Sequence, residues 1–217
     1  MSPTHHPDLT TLLAYTSGAV TEGSSLLVAA HLEGCSACRK AVSNAEILAG
    51  GLFDMLPPIA LTKNSMHHVW KAIESQPEPE SHSPPSSFLG EIPAVLESYL
   101  PGGLQHIKWR ALGPGIQQVR ISELDSGKGS VRLFRLSPGT KIPQHTHQGS
   151  ELTLILQGSY VDETGRYRRG DFAEADHSLV HQPVVDSAEP CICITTTDNK
   201  LIFTRTLNRI LQPFIGI

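Results

Sequence analysis

The sequence predicts an α+β multidomain protein: a small helical metal-binding domain followed by a β-barrel of the jelly-roll type. Three observations point there. Up to about residue 75, apolar residues recur at helical spacing. From about residue 88, Gly and Pro punctuate short runs with period-2 alternation. Between the two, residues 76–87 (QPEPESHSPPSS) hold four prolines and four serines, a composition that forms no core and stays extended. The predicted division is therefore a helical domain over 1–75, a linker over 76–87 and a barrel domain over 88–217.

The elements follow in order. Asp8 or Thr10 caps a first helix over residues 9–17, which ends near Gly18. Thr21 starts a second, with Leu26, Leu27, Ala29, Ala30 and Leu32 on its apolar side and Gly34 as its stop. Residues 35–51 make a third helix, and Pro57 and Pro58 break the pattern. Residues 65–75 make a fourth, with Met66, Val69, Trp70 and Ile73 on one stripe. That stripe either docks on a partner or packs on its own domain. The strand candidates are residues 131–136, 152–156, 158–162, 191–195 and 200–204.

Composition narrows the function. A chain of 217 residues, 39% hydrophobic, has enough apolar side chains for two cores. A formal net charge of −4 argues against nucleic acid as the direct partner. No apolar run reaches the roughly 18 residues a membrane helix needs, and the N-terminus lacks the basic and apolar regions of a secretory signal. Of four cysteines, Cys191 and Cys193 stand two apart on a predicted strand. Their Cα atoms would be roughly 6.5–7 Å apart with parallel side chains, which suits a disulfide poorly. They read as small buried residues, and a reducing cytoplasm is the expected compartment. His67, His68, His82 and His106 have no partner spacing and read as surface or linker residues.

Two sets of metal-ligand residues stand out. In the first, His31, Cys35 and Cys38 have HxxxCxxC spacing. Steps of four and three keep the side chains on one helix face or align them across a helix–helix turn, which Gly34 would make in the left-handed conformation. Thiols in the first turn of the next helix meet its dipole and free amides, which favour the thiolate that binds zinc. His5 or His6 reaches back to close the tetrahedron, and residue chemistry does not choose between them. The competing readings are core cysteines or a redox CxxC pair.

This segment resembles the zinc-binding anti-sigma domain, whose pattern is an upstream His followed by HxxxCxxC at the join of two helices. The resemblance implies the ligand set His6, His31, Cys35 and Cys38. It also implies a helical clamp on a sigma factor of the extracytoplasmic-function (ECF) group.

In the second set, His145, His147 and Glu151 share strand parity between Gly139 and Gly158, and His181 follows. Leu152, Leu154 and Leu156 have the opposite parity, and a bulge near Gly149 would shift the register. The rhythm resembles the first cupin motif, G-x5-HxH-x3-E-x6-G. Residues from Gly170 to His181 resemble the second, with Asp176 and Ser178 in place of its Pro and Gly. The resemblance implies His145, His147, Glu151 and His181 as ligands inside a cupin barrel. Three imidazoles and a carboxylate suit Zn, Mn, Fe, Ni or Cu.

Together the halves resemble the ChrR family of anti-sigma factors. The likeness extends to Asp162-Glu-Thr, Cys191-Ile-Cys and a Leu211-Gln-Pro-Phe ending. It implies zinc in both sites, a sigma-E-type ECF sigma factor as partner, release in response to singlet oxygen or related oxidants, and no enzymatic activity. Pairing of the barrel as a homodimer stays open. The rival reading is a cupin dioxygenase or isomerase with a zinc-binding appendage, using Tyr160, Glu174 or His177 as acid or base. A third is a ligand-sensing cupin whose zinc domain binds another protein.

Overall fold

The computed structural model describes residues 2–76, 92–124, 129–199 and 201–203. All but Gln76 of the Pro/Ser-rich segment, His82 with it, and the Leu211-Gln-Pro-Phe ending lie outside the described residues. Four helices come first: α1 (Leu9–Thr16), α2 (Glu22–Gly34), α3 (Ser36–Phe53) and α4 (Ser65–Glu74). The Thr21 hydroxyl caps α2 by accepting from the Ser24 amide at 3.2 Å. Asp8 holds the N-cap position of α1 without a side-chain bond. Its place is taken by Glu174, which accepts from the Asp8 amide at 2.9 Å and the Thr11 hydroxyl at 3.1 Å. A carboxylate from the barrel thus sits where the helix dipole favours negative charge.

The α2–α3 junction differs from expectation. Gly34 is still helical and has no positive φ; Cys35, extended at φ −118° and ψ 102°, makes the corner. It is the C-cap of one helix and the N-cap of the next, and its sulfur accepts from the Cys38 amide at 3.4 Å. A thiol can occupy the capping position that Ser or Asp usually fills, so no left-handed glycine is needed.

The strands are β1 (Arg110–Gly113), β2 (Ile116–Arg120), β3 (Ser130–Leu136), β4 (His145–His147), β5 (Glu151–Gln157), β6 (Ser159–Val161), β7 (Arg166–Arg168), β8 (Phe172–Ala175), β9 (Val184–Val185), β10 (Cys191–Thr197) and β11 (Leu201–Phe203). They form antiparallel sheets in the orders β1-β2-β3-β10-β5-β8, β7-β6-β9 and β11-β4.

The large sheet is covered on both faces. Leu152, Leu154 and Leu156 of β5 join Val131, Leu133, Ile192 and Ile194 in one core with Leu27 and Val28 of α2. Ile155, Cys191 and Cys193 point the other way and pack with Leu136 and Tyr160. That two-sided burial is why β5 and β10 read as near-continuous apolar runs rather than clean alternation. It also shifts the buried side of α2 onto Leu27, Val28, Ala30 and His31, leaving Ala29 only half-buried. The approach is close: a Cβ at Gly23 would collide with the Val131 side chain. Leu27 and Val28, fully buried in this seam, each contribute roughly 1.5–3 kcal/mol. Glu33 adds a polar tie, accepting from the amides of Ala94 and Val95 at 2.8 Å each.

Beyond this seam burial falls away. Only Cys38 and Val42 of α3 are buried, and no residue of α4 is.

Two candidate metal centres

At the α2–α3 junction, one ligand atom from each of His6, His31, Cys35 and Cys38 lies within 4.8 Å of the others. The His6 Nδ1 is 3.3 Å from the Cys35 sulfur and 3.5 Å from the Cys38 sulfur. His5 faces elsewhere: its ring lies 4.3 Å from that of Tyr167, and its Nδ1 is 3.4 Å from Asp171. Of the pair that residue chemistry left open, His6 is the one whose ring nitrogen lies beside the two thiols.

His31 is fully buried, and its Nδ1–H donates to the Gly170 carbonyl at 2.9 Å. A carbonyl only accepts, so the proton is on Nδ1 and the lone pair on Nε2. That Nε2 is the buried side-chain nitrogen or oxygen left without a hydrogen-bond partner among the described residues. An orphaned lone pair aimed at two thiols and an imidazole fits a soft, tetrahedral cation. In the metal-free protein, burial and the neighbouring Cys35 push the Cys38 thiol up to about 12. The expected thiolate stabilisation by the helix end is thus outweighed until a cation arrives, and binding expels a proton.

In the barrel, β4 carries His145 and His147, β5 begins at Glu151, and the chain at 148–150 breaks the strand between them. His181 joins through a two-way backbone bridge with His145, at 3.1 and 3.0 Å. One ligand atom from each of the four lies within 4.8 Å of the others. The His181 Nε2 is 3.1 Å from that of His145 and 3.1 Å from that of His147. The Nδ1–H of His145 donates to the Pro143 carbonyl, and that of His181 donates to Asp162, each at 2.9 Å. For these two rings the lone pairs converge on Nε2 and repel unless a cation lies between them.

Asp162 was legible only as part of a resemblance. Its role is to orient His181, and an Asx turn in which Thr164 donates to its carboxylate holds it there. The second-motif departures have a similar explanation. Asp176 accepts from the Ser178 amide and hydroxyl at 2.8 and 2.6 Å, so a side-chain turn replaces the Pro-x-Gly turn. Of the acid–base nominees, Glu174 caps α1 and His177 is exposed, whereas Tyr160 lines a largely apolar cavity of about 240 Å³ beside the imidazoles. Cys193 lines the same cavity, but burial pushes its thiol up to about 12 and Cys191 higher, which suits inert core residues.

Burial, then the neighbouring imidazoles, lowers His145 to about 4 and His147 to about 3. Burial raises the Glu151 carboxyl to about 7, against the opposing pull of His181 and Thr153. At pH 6 these two rings are neutral and ready to ligate, while Glu151 is protonated. A cation that takes the carboxylate must displace that proton, so barrel affinity rises with pH toward about 7 and levels off above it. With the thiol site filled first, calorimetric titration at pH 6 in buffers of different ionisation heat should show this proton leave Glu151. Glu151→Gln should abolish that share of the release; unchanged release would remove Glu151 from the ligand set.

A model of the ChrR cupin-like domain matches residues 103–200. Over its whole length the chain is 36% identical to anti-sigma-E factor ChrR of Cereibacter sphaeroides, covering 100% of both. The chain belongs to the ChrR family of anti-sigma factors. A crystal structure of Rhodobacter sphaeroides SigE in complex with the anti-sigma ChrR superposes at a TM-score of 0.75 with 34% identity, covering 91% of this chain and all of that one. ChrR membership places the chain among regulators rather than enzymes. No described helix is long and apolar enough to cross a membrane.

Proposed function

We propose that this chain sequesters a sigma-E-type ECF sigma factor with its helical part and releases it when the barrel meets an oxidant such as singlet oxygen. The exposed apolar surface of α3 and α4 carries the reading. Met66, Val69, Trp70 and Ile73 are 54–64% exposed, and α4 has no buried residue. On α3, Ile47, Leu48, Leu52 and Phe53 are 60–72% exposed. Large apolar side chains left exposed in this number fit a partner's footprint. Against the alternative, that the α4 stripe packs on its own domain, stands the exposure of every residue in the stripe.

In this reading His6, His31, Cys35 and Cys38 hold a structural zinc that shapes the clamp. His145, His147, Glu151 and His181 hold zinc or another divalent metal that answers the stimulus. The same division, helical clamp and barrel sensor on either side of residues 76–87, is the proposed domain plan, and the cytoplasm is its compartment. The cavity beside the imidazoles, which an enzyme would use for substrate, here gives a small oxidant a route to the ligands.

The test separates the two jobs. His145→Ala, His147→Ala and Glu151→Ala in the full chain should capture the sigma factor with parental affinity and fail to release it on oxidant exposure. Variants that cannot capture it at all would overturn the division of labour.

A further inference from the structure

His6 is an unusual ligand because of where it sits. It is exposed, and residues 2–8, from which it projects, form no helix or strand. Ordering such an arm costs about 1–2 kcal/mol of backbone entropy per residue, so a ligand on it is weak unless something else fixes the arm.

That fixing comes from the barrel. Asp171 is 1% exposed, and its carboxylate accepts from the amides of Thr4 at 2.6 Å and His5 at 3.0 Å, the two residues before His6. The Thr4 hydroxyl adds contacts at 3.2 Å. The Arg168 amide, at 2.9 Å, holds the carboxylate in place, and the Phe172 amide donates to the His5 carbonyl at 3.2 Å. One residue before Asp171, Gly170 sits at φ +89° with Pro3 against it, and its carbonyl fixes the His31 tautomer. A single turn of the barrel, residues 168–171, therefore orients two of the four ligands of the helical site.

We propose that this turn is the outer shell of the thiol-bearing metal centre, with Asp171 the positioning residue that keeps His6 within reach of the ion. The inference rests on the reading that His6, His31, Cys35 and Cys38 hold a metal. The barrel supplies no ligand to this site but orders two of the four. The turn also hangs on the strand that begins at Glu151: the Gly170 amide donates to the Ile155 carbonyl at 2.8 Å, and the Ile155 amide to the Asp171 carbonyl at 3.1 Å. The strand that begins at Glu151 and the helical site thus meet at this one turn.

Cobalt(II) in the full chain supplies the readout. Thiolate-to-cobalt absorption reports the helical site alone, because the barrel ligands include no sulfur. Asp171→Ala should shift that absorption and speed loss of the ion to a chelator, with affinity down by about 10–100-fold, the usual cost of losing an outer-shell partner. Asp171→Asn, which keeps an acceptor oxygen, should fall between. Thr4→Pro removes two donors from the arm, the amide and the hydroxyl, without changing a barrel residue, so it should move the same signals in the same direction even if Asp171→Ala fails to fold. Parental absorption and retention in Thr4→Pro and in a folded Asp171 variant would overturn the proposal. A parental chain that shows no thiolate–cobalt absorption would sink the metal reading beneath it.

Discussion

Cys38→Ser should abolish capture of the sigma factor, weakening it by more than about 100-fold, the equivalent of roughly 2.8 kcal/mol. Cys38 is 4% exposed at the third position of α3, and its amide already engages the Cys35 sulfur. Of the two helices it joins, α2 has only 13 residues. Isolated helices under about 12–15 residues are marginal in water. Of 18 residues in α3, only two are buried, so little of that helix is anchored in the core. Structural zinc, at about 10–16 kcal/mol of apparent binding energy in small zinc-folded peptides, is large enough to set the angle between α2 and α3. Serine is a poor soft-metal ligand at neutral pH, so the variant loses the ion and the angle together. Circular dichroism should show helix loss, while the barrel keeps its own metal. Binding calorimetry checks the outcome, and parental affinity in this variant would mean that the clamp does not need its ion.

Trp70→Ala should cost about 2–4 kcal/mol of sigma-factor affinity, the range of an aromatic anchor at the centre of an interface, or roughly 30- to 1,000-fold in dissociation constant. Trp70 is 56% exposed on a helix with no buried residue, so its truncation should change the stability of the free chain by less than about 0.5 kcal/mol. Leu27→Ala provides the contrast. Leu27 is fully buried between α2 and the sheet, and its loss should destabilise the free chain by about 2–5 kcal/mol through a cavity. Denaturant melts and binding measured on both variants separate a docking surface from a core. Equal loss of stability in the two would mean that α4 packs on its own chain.

What was legible in the sequence was local. HxxxCxxC and HxH-x3-E are short-range spacings, and the structure draws each of these sets together around a common point. The four helices follow from apolar recurrence over whole turns. The α2 face was displaced because periodicity counts one apolar side, whereas this helix meets barrel, loop and metal site at once. Strands β1, β2, β7, β8 and β9, two to five residues each, are too short for a period to register. The corner at Cys35 escaped notice because a cysteine there takes the capping position that Ser or Asp usually fills.

Between His6 and His5, residue chemistry could not choose, and only the resemblance pointed to His6. The two imidazoles are chemically identical neighbours, and what separates them is a carboxylate 166 residues along the chain from His5. Asp162 and Gly170 orient imidazoles 19 and 139 residues away. Such outer-shell partners are set by tertiary approach, and no local pattern encodes them.

The central claim is that a thiol-held ion gives the helical part its grip on a sigma factor. It is tested most directly by stepwise chelation of the purified complex of the full chain with a sigma-E-type sigma factor, following metal content and bound sigma factor together. The account predicts a stoichiometric complex that comes apart in step with loss of the ion at Cys35 and Cys38. A complex that survives intact after that ion has gone would contradict it.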